Sequence, residues 1–152
     1  MIQVTTDPIN PGDLLAAFTV DRNQAGAIAS FTGLVRSTTD GAAVSRLTLQ
    51  AYPGFTEKVM ADIEAEARGR FDVQDIIAVH RWGEIEVGHP IIFVAVASAH
   101  RRPAFEAVDF LMDQFKVRAP FWKKEDGPGG PRWVEPRLAD HDDLSRWIPK
   151  PL

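Results

Sequence analysis

The sequence predicts an α+β fold. Strand-like and helix-like segments are intermixed along the chain but do not follow strict βαβ alternation. The longest apolar run, Ile91–Ala97, reads as a strand covered on both faces. It leads into Ser98–Glu125, which reads as one amphipathic helix followed by an aromatic and basic segment, with apolar residues recurring from Phe105 at Val108, Leu111, Met112 and Phe115.

Ile2–Thr5 suits a short strand. Asn10-Pro11-Gly12-Asp13 has the chemistry of a helix start: Asn caps, Pro takes the first position and Asp sits in the positive first turn. Leu14, Leu15 and Phe18 give that helix an apolar side, and Asp21–Gly26 is a loop. Ala27–Arg36 reads as a strand with two usable faces, in which Gly33 marks a bulge or a close backbone approach. Ser37–Ala42 is expected to be a polar, mobile loop, and Val44–Tyr52 a further strand. Pro53-Gly54 turns the chain into a helix over about 56–71, with Met60, Ile63, Ala67 and Phe71 as its buried stripe and Glu64 and Arg68 as an exposed i,i+4 pair. Ile76–Trp82 is a strand, and Gly83 and Gly88 break the next stretch. Pro103 fits the first turn of the long helix. Gly127–Pro131 is the expected tip of a hairpin joining Phe121–Glu125 to Arg132–Glu135. A single domain is expected over residues 1–152, with a polar, acidic tail loosely ordered from about residue 138.

Apolar content of 45% and charged content of 25% are ordinary globular values. The N-terminus lacks a basic n-region and an apolar h-region, so no signal peptide is expected, and Ile91–Ala97 is too short to span a bilayer; a cytoplasmic location is the simplest reading. The chain has no cysteine, which excludes disulfides, thiolate metal sites, a cysteine nucleophile and a persulfide carried on the chain itself. A net charge of -4 argues against a general nucleic-acid binder. The histidines have no metal-ligand spacing, and GPGGP lacks the Lys-Ser/Thr ending of a phosphate loop.

Against that acidic background, residues 100–124 hold six Lys or Arg and three Asp or Glu. His100, Arg101 and Arg102 crowd a helix N-terminus, where cations are unfavourable unless an anion joins them, so the segment reads as an anion pocket or as a solvated basic edge. Lys116 lies on the edge of the apolar face. Partial desolvation there lowers a lysine pKa and makes a usable base or nucleophile, although the position also suits a snorkelling lysine. Lys123 and Lys124 point to opposite faces of a strand, so one of them can enter a given pocket. Arg36 could clamp a phosphate bidentately or sit as an ordinary surface arginine, and Arg137 is no more distinctive.

Together these segments resemble a known family. The residues that carry the resemblance are Phe31-Thr32-Gly33-x-Val35-Arg36, Leu49-x-x-Tyr52-Pro53-Gly54-x-Thr56-Glu57-Lys58, His80-Arg81-x-Gly83-Glu84, Ser98-Ala99-His100-Arg101, Lys116-x-Arg118-Ala119-Pro120-Phe121-Trp122-Lys123-Lys124-Glu125 and Arg132-Trp133-Val134-Glu135. They are similar, from about Phe31 to Arg137, to the catalytic (large) subunits of molybdopterin synthase. The loop 126–131 and the tail after Arg137 match only loosely. The resemblance implies a hammerhead-type α+β domain with an additional small antiparallel sheet. It implies a sulfurtransferase of molybdenum cofactor biosynthesis, which converts a cyclic pyranopterin monophosphate into molybdopterin. Sulfur would arrive as the C-terminal thiocarboxylate of a small ubiquitin-like partner subunit, with no cofactor on this chain, and the assembly would be a heterotetramer built on a homodimer of this chain.

By matching motif position, the resemblance makes Lys116 the catalytic lysine, as base or transient acyl acceptor, and Lys123 a second, orienting or protonating group. His100, Arg101, Arg36 and its neighbours Leu34 and Val35 would contact the substrate phosphate, with Lys124 and Glu125 lining the same segment and Arg137 reaching across the dimer. A non-catalytic module for a phosphorylated small molecule, or a scaffold docking a partner's carboxylate, would use the same groups. A straight helix of ~16 residues is ~24 Å long, so its two ends cannot serve one small ligand; each pocket is therefore expected to take His100 and Arg101 from the neighbouring chain.

Overall fold

The computed structural model describes residues 1–152. The chain runs β1 (Ile2–Thr5), α1 (Pro11–Thr19), β2 (Ala27–Leu34), β3 (Thr38–Thr39), β4 (Ala42–Ala43), β5 (Arg46–Gln50), α2 (Phe55–Arg70), β6 (Asp75–Arg81), β7 (Gly83–Glu86), β8 (Pro90–Ser98), α3 (Arg101–Arg118), β9 (Trp122–Asp126), β10 (Arg132–Val134) and α4 (Leu138–Ser145). The main sheet has the order β1-β6-β8-β2, with β1 parallel to β6 and the other pairs antiparallel. A second, wholly antiparallel sheet has the order β10-β9-β5-β7, and β3 and β4 form a separate ribbon. This is the expected α+β class with an additional antiparallel sheet.

The apolar run of β8 is explained by what covers it. Ile92, Val94 and Val96 face one way, onto Met60, Ile63 and Ala67 of α2 and Ala107, Phe110, Leu111 and Phe115 of α3. Phe93, Ala95 and Ala97 face the other way, onto Ile9 and Phe18. Alternation is lost because both faces are dry. Helix α1 begins as its sequence dictates, with the Asn10 side chain accepting from the Asp13 N–H at 3.1 Å. Helix α2 begins at Gly54, whose N–H donates to the Glu57 carboxylate at 2.6 Å. Glu64 and Arg68 pair at 2.7 Å.

Several expectations need adjusting. The stripe of α3 is set by Ala104, Ala107, Val108, Leu111 and Phe115, whereas Phe105 stands 63% exposed, because small alanines let the helix lie close to the sheet. Residues 37–42 are expected to be a mobile loop, but they contribute to the β3–β4 ribbon. Asp40 and Gly41 turn it at φ 50° and 79°, the left-handed values a tight hairpin turn requires. A short strand, β7, forms between Gly83 and Gly88 and pairs with β5. Gly33 shows both a register shift and a close approach, since a Cβ there would lie 2.9 Å from Ile92 Cγ2.

The largest correction concerns the tail. Instead of lying loosely from about residue 138, it folds into α4 and fastens onto α2 and α3. Arg146 pairs with Asp109 at 3.1 Å and Asp113 at 2.5 Å. Trp147 packs edge-on against Phe71 and Phe110 at 5.9 and 5.4 Å, and its indole N–H donates to Asp113 at 2.7 Å. The Arg70 guanidinium donates to the Trp147 carbonyl at 2.6 Å. A polar composition conceals this because the affinity lies in two residues and in a receptor built by other helices. No helix is long and apolar enough to cross a membrane.

The docking of Trp147 predicts a measurable contribution. Trp147→Ala should destabilise the fold by about 2 kcal/mol, less than a fully buried tryptophan because the ring is half-buried. Urea unfolding checks this; an unchanged midpoint would mean that the tail adds no stability.

Candidate active site

The segments that carry the sequence motifs, Ser98–Arg101 excepted, converge on one cavity of about 540 Å³. Its walls come from the end of β2 and the residues after it, the C-terminal part of α3, the β9–β10 hairpin, and the segment leading into α4. Phe31, Ile92, Met112, Phe115 and Phe121 give it an apolar floor, and Arg36, Lys116, Lys123 and Arg137 bring positive charge.

Lys116 lies in the last turn of α3. Burial against the apolar wall lowers its pKa below the ordinary lysine value. The negative charge of Asp140 opposes that shift, and the positive charges of Lys123, Arg137 and Arg36 add to it. The result is an amine that loses its proton more readily than a surface lysine does. Helical geometry delivers Lys116 here: Met112 is one turn earlier on the same edge and also lines the cavity.

Lys123 enters from β9. Strand alternation puts it on the same face as Glu125 and opposite to Lys124. Lys123 Nζ lies 3.4 Å from Glu125 Oε1. Glu125 is 5% exposed and also accepts from Arg132 at 3.2 Å and Thr39 at 3.1 Å. Burial pushes its carboxyl up, but the hydrogen bonds from Arg132 and Thr39 and the charge of Lys123 outweigh this and hold it below the usual carboxylate range. The ionised Glu125 thus fixes the Lys123 head.

His80, at the end of β6, lines the same cavity. Its ring stacks on Phe121 with centroids 3.9 Å apart and planes 19° from parallel. Nδ1 lies 2.9 Å from the Arg81 carbonyl oxygen, which can only accept, so Nδ1 carries the hydrogen and Nε2 keeps its lone pair. Burial pushes the imidazole pKa down to about 4, helped by the nearby Lys116 charge, so the ring is neutral at physiological pH.

Of the residues picked out in the sequence, Leu34, Arg36, Lys116, Lys123 and Arg137 meet in this cavity. Glu125 lies behind Lys123 and acts on the cavity through it. Val35 does not face the cavity: it is 5% exposed and packs with Leu47, Leu49 and Ile85 under the second sheet, because its neighbours on either side point outward. Lys124 is on the opposite face of β9, directly across from Trp133. His100 and Arg101 are exposed at the far end of α3, about 22 Å from Lys116 along the axis at 1.5 Å per residue. Within one chain, the cation pair at the helix start and the lysines at its end therefore remain separate. Two groups escaped the sequence reading, His80 and Asp140. The signal for His80 was its place at a strand end beside Arg81-x-Gly83; Asp140 had no local signal, because only the folded tail brings it in.

The donor set suits an anionic, partly apolar ligand, with Arg36, Arg137 and Lys116 exposed, Lys123 half-buried and aromatic rings lining the same cavity. No group of three or more His, Asp or Glu side chains is placed to hold a metal ion.

A model of the MoaE protein family matches residues 4–118. The chain is 50% identical over 97% of its length, and 97% of the relative's, to a molybdopterin synthase catalytic subunit of Caulobacter vibrioides. Its fold superimposes with a TM-score of 0.82 on a molybdopterin biosynthesis MoaE protein from Burkholderia ambifaria, at 39% identity and 97% coverage of both chains. At 20% identity it shares the fold, with a TM-score of 0.74 over 90% of this chain and 91% of the other, with a chain in a complex of subunits 1 and 2 of molybdopterin-converting factor from Helicobacter pylori.

The neutral, half-buried His80 makes a pH prediction. Its folded pKa of about 4 lies below the unfolded value near 6.5, so the unfolded state binds the extra proton first and stability falls as pH drops through that window. Between pH 7 and pH 5, the wild type should lose roughly 2 kcal/mol more than His80→Phe, which has no such group to protonate. Urea unfolding of both proteins at the two pH values tests this, and equal losses would refute it.

Proposed function

Because the chain belongs to the MoaE protein family, we propose that it is the catalytic subunit of a molybdopterin synthase and acts in molybdenum cofactor biosynthesis. The observation that carries this reading to the chemistry is the partly desolvated Lys116 amine in a cavity rimmed by Arg36 and Arg137 and shared with Lys123. The reaction is a sulfur transfer. A cyclic pyranopterin monophosphate receives its dithiolene sulfurs, and each sulfur comes from the C-terminal thiocarboxylate of a small ubiquitin-like partner. The absence of cysteine supports a sulfur source outside this chain. No cofactor of the chain's own enters the scheme.

Both reactants are anions, and the cavity supplies cations for both. Arg36 and Arg137 at the rim receive the phosphate. Lys116, more easily deprotonated than a surface lysine, is the base or the transient acyl acceptor. In the second role the sulfur has first bonded to the pterin as a thioester; the Lys116 nitrogen then bonds to the acyl carbon, the C–S bond breaks, the sulfur stays on the pterin, and the proton lost by the nitrogen passes to it. Lys123, held by Glu125, orients or protonates the reacting group. The partner's tail threads into the open side of the cavity as an extended chain. His100 and Arg101 serve the cavity of a second copy in a homodimer, so that the assembly is a heterotetramer with a partner subunit on each copy. The location is the cytoplasm.

The decisive experiment mixes the protein with thiocarboxylated small subunit and the pyranopterin precursor and measures molybdopterin. Lys116→Ala should lower the rate at least ~100-fold, and Arg36→Ala should raise KM for the precursor more than it lowers kcat. Wild-type activity in Lys116→Ala would sink the catalytic assignment. No product from the wild type would favour a module that binds a phosphorylated small molecule without converting it.

A further inference from the structure

The cavity is rich in hydrogen-bond donors and short of desolvated acceptors. In their charged forms Arg36, Lys116, Lys123 and Arg137 can only donate. They match the oxygens of an anion and offer nothing to a ligand N–H. The acids do not fill that gap. Asp40 and Glu135 are exposed, and the buried Asp140 accepts the Arg137 backbone N–H at 2.8 Å. Among the neutral polar side chains, Thr32 is exposed on the edge strand β2, and the Thr39 hydroxyl donates to Glu125 at 3.1 Å. The half-buried His80 is the remaining one.

Three restraints hold the His80 ring. Its backbone lies in β6 between β1 and β8, in register with Val4 and Ile92. Phe121 covers one face of the imidazole with centroids 3.9 Å apart. The Arg81 carbonyl accepts from Nδ1 at 2.9 Å. The two ring nitrogens point in widely different directions, so a ring held through Nδ1 turns Nε2 away from its own backbone. Nε2 has no hydrogen-bond partner in the chain, yet it is not sealed from solvent. The ring thus presents a fixed, unused lone pair at the wall of the cavity.

We propose that His80 is a ligand-binding residue of this cavity, whose Nε2 accepts a hydrogen bond from an N–H on the heterocyclic part of the substrate while the arginines take the phosphate. The proposal rests on the reading that the cavity receives a cyclic pyranopterin monophosphate, and it adds what selects that molecule. Cations alone would hold any phosphate monoester. A pterin differs from most of them by its ring and exocyclic N–H groups, and a desolvated acceptor discriminates strongly in favour of a ligand that supplies the donor. The imidazole must be neutral to accept, as burial keeps it.

Calorimetric titration with the cyclic pyranopterin monophosphate tests this on the wild type and on variants whose folding is checked by thermal unfolding. His80→Phe keeps a ring against Phe121 and removes the acceptor. His80→Gln removes the ring and keeps an amide oxygen that reaches the Nε2 position. His80→Phe should bind about tenfold more weakly than the wild type, or weaker still, because a ligand N–H is left unpaired. His80→Gln should retain more of the affinity than His80→Phe does. A histidine that only packs on Phe121 gives the opposite order. The proposal stands only if both results are found, and any other order overturns it. His89→Phe, at an exposed histidine outside the cavity, should bind as the wild type does. Should His80→Phe not fold, His80→Leu takes its place in the comparison with His80→Gln. Failure of the underlying reading looks different: a wild type that does not bind the pyranopterin overturns both, whereas binding that His80→Phe keeps overturns the His80 assignment alone.

Discussion

The dry burial of β8 on both faces is the constraint from which the other elements take their places. A nine-residue strand with no solvated side needs helices above and below it, and α1 on one face and α2 with α3 on the other supply them. Because α3 starts directly after β8, its axis is set by that packing. Its buried stripe of Ala104, Ala107, Leu111 and Phe115 then determines which residues lie on the edges. Lys116 comes one residue after Phe115, a rotation of about 100°, so the amine emerges at the boundary between the core and an open space. The core thus sets the position and the partial desolvation of the amine together.

The second sheet provides the opposite wall. Its inner face carries Lys123 and Glu125 on β9, and the buried Glu125 is satisfied by groups from three directions: Arg132 across the hairpin, Thr39 from the β3–β4 ribbon, and Lys123 beside it. A buried carboxylate needs such partners to stay ionised. The network couples the ribbon and the hairpin to the direction in which Lys123 points. The cationic rim of Arg36 and Arg137, by contrast, is exposed and open to a ligand. An exposed Lys116, a half-buried Lys123 and solvent-facing arginines suit a site that must seat an anion and also admit an extended chain.

Much of this was legible beforehand, and the reasons differ by residue. The ends of α1 and α2, the hairpin at Gly127–Pro131 and the close approach at Gly33 come from local chemistry, namely caps, proline, glycine and strand periodicity. Lys116, Lys123 and Arg36 could be picked out because charges at the edge of apolar periodicity are visible in the residue order. Val35 and Lys124 illustrate the limit: each sits beside a cavity residue in sequence, yet one bulge and one step of alternation turn them away. His100 and Arg101 illustrate another, since a helix separates in space what a short charged segment joins on paper.

The sequence by itself determined the α+β class, the elements of the main sheet and its helices, the lack of any thiol and the family, because those depend on residue types at short spacing. Only the tertiary structure decided that the acidic tail is a folded arm, that His80 is a neutral acceptor stacked on Phe121, and that Asp140 is a buried carboxylate in the wall of the cavity that Lys116 also lines. The physical reason is that burial and electrostatic neighbours are properties of contacts. Lys116 and Asp140 lie on different helices joined by a hairpin, and what each does to the other depends on a distance that no local pattern encodes.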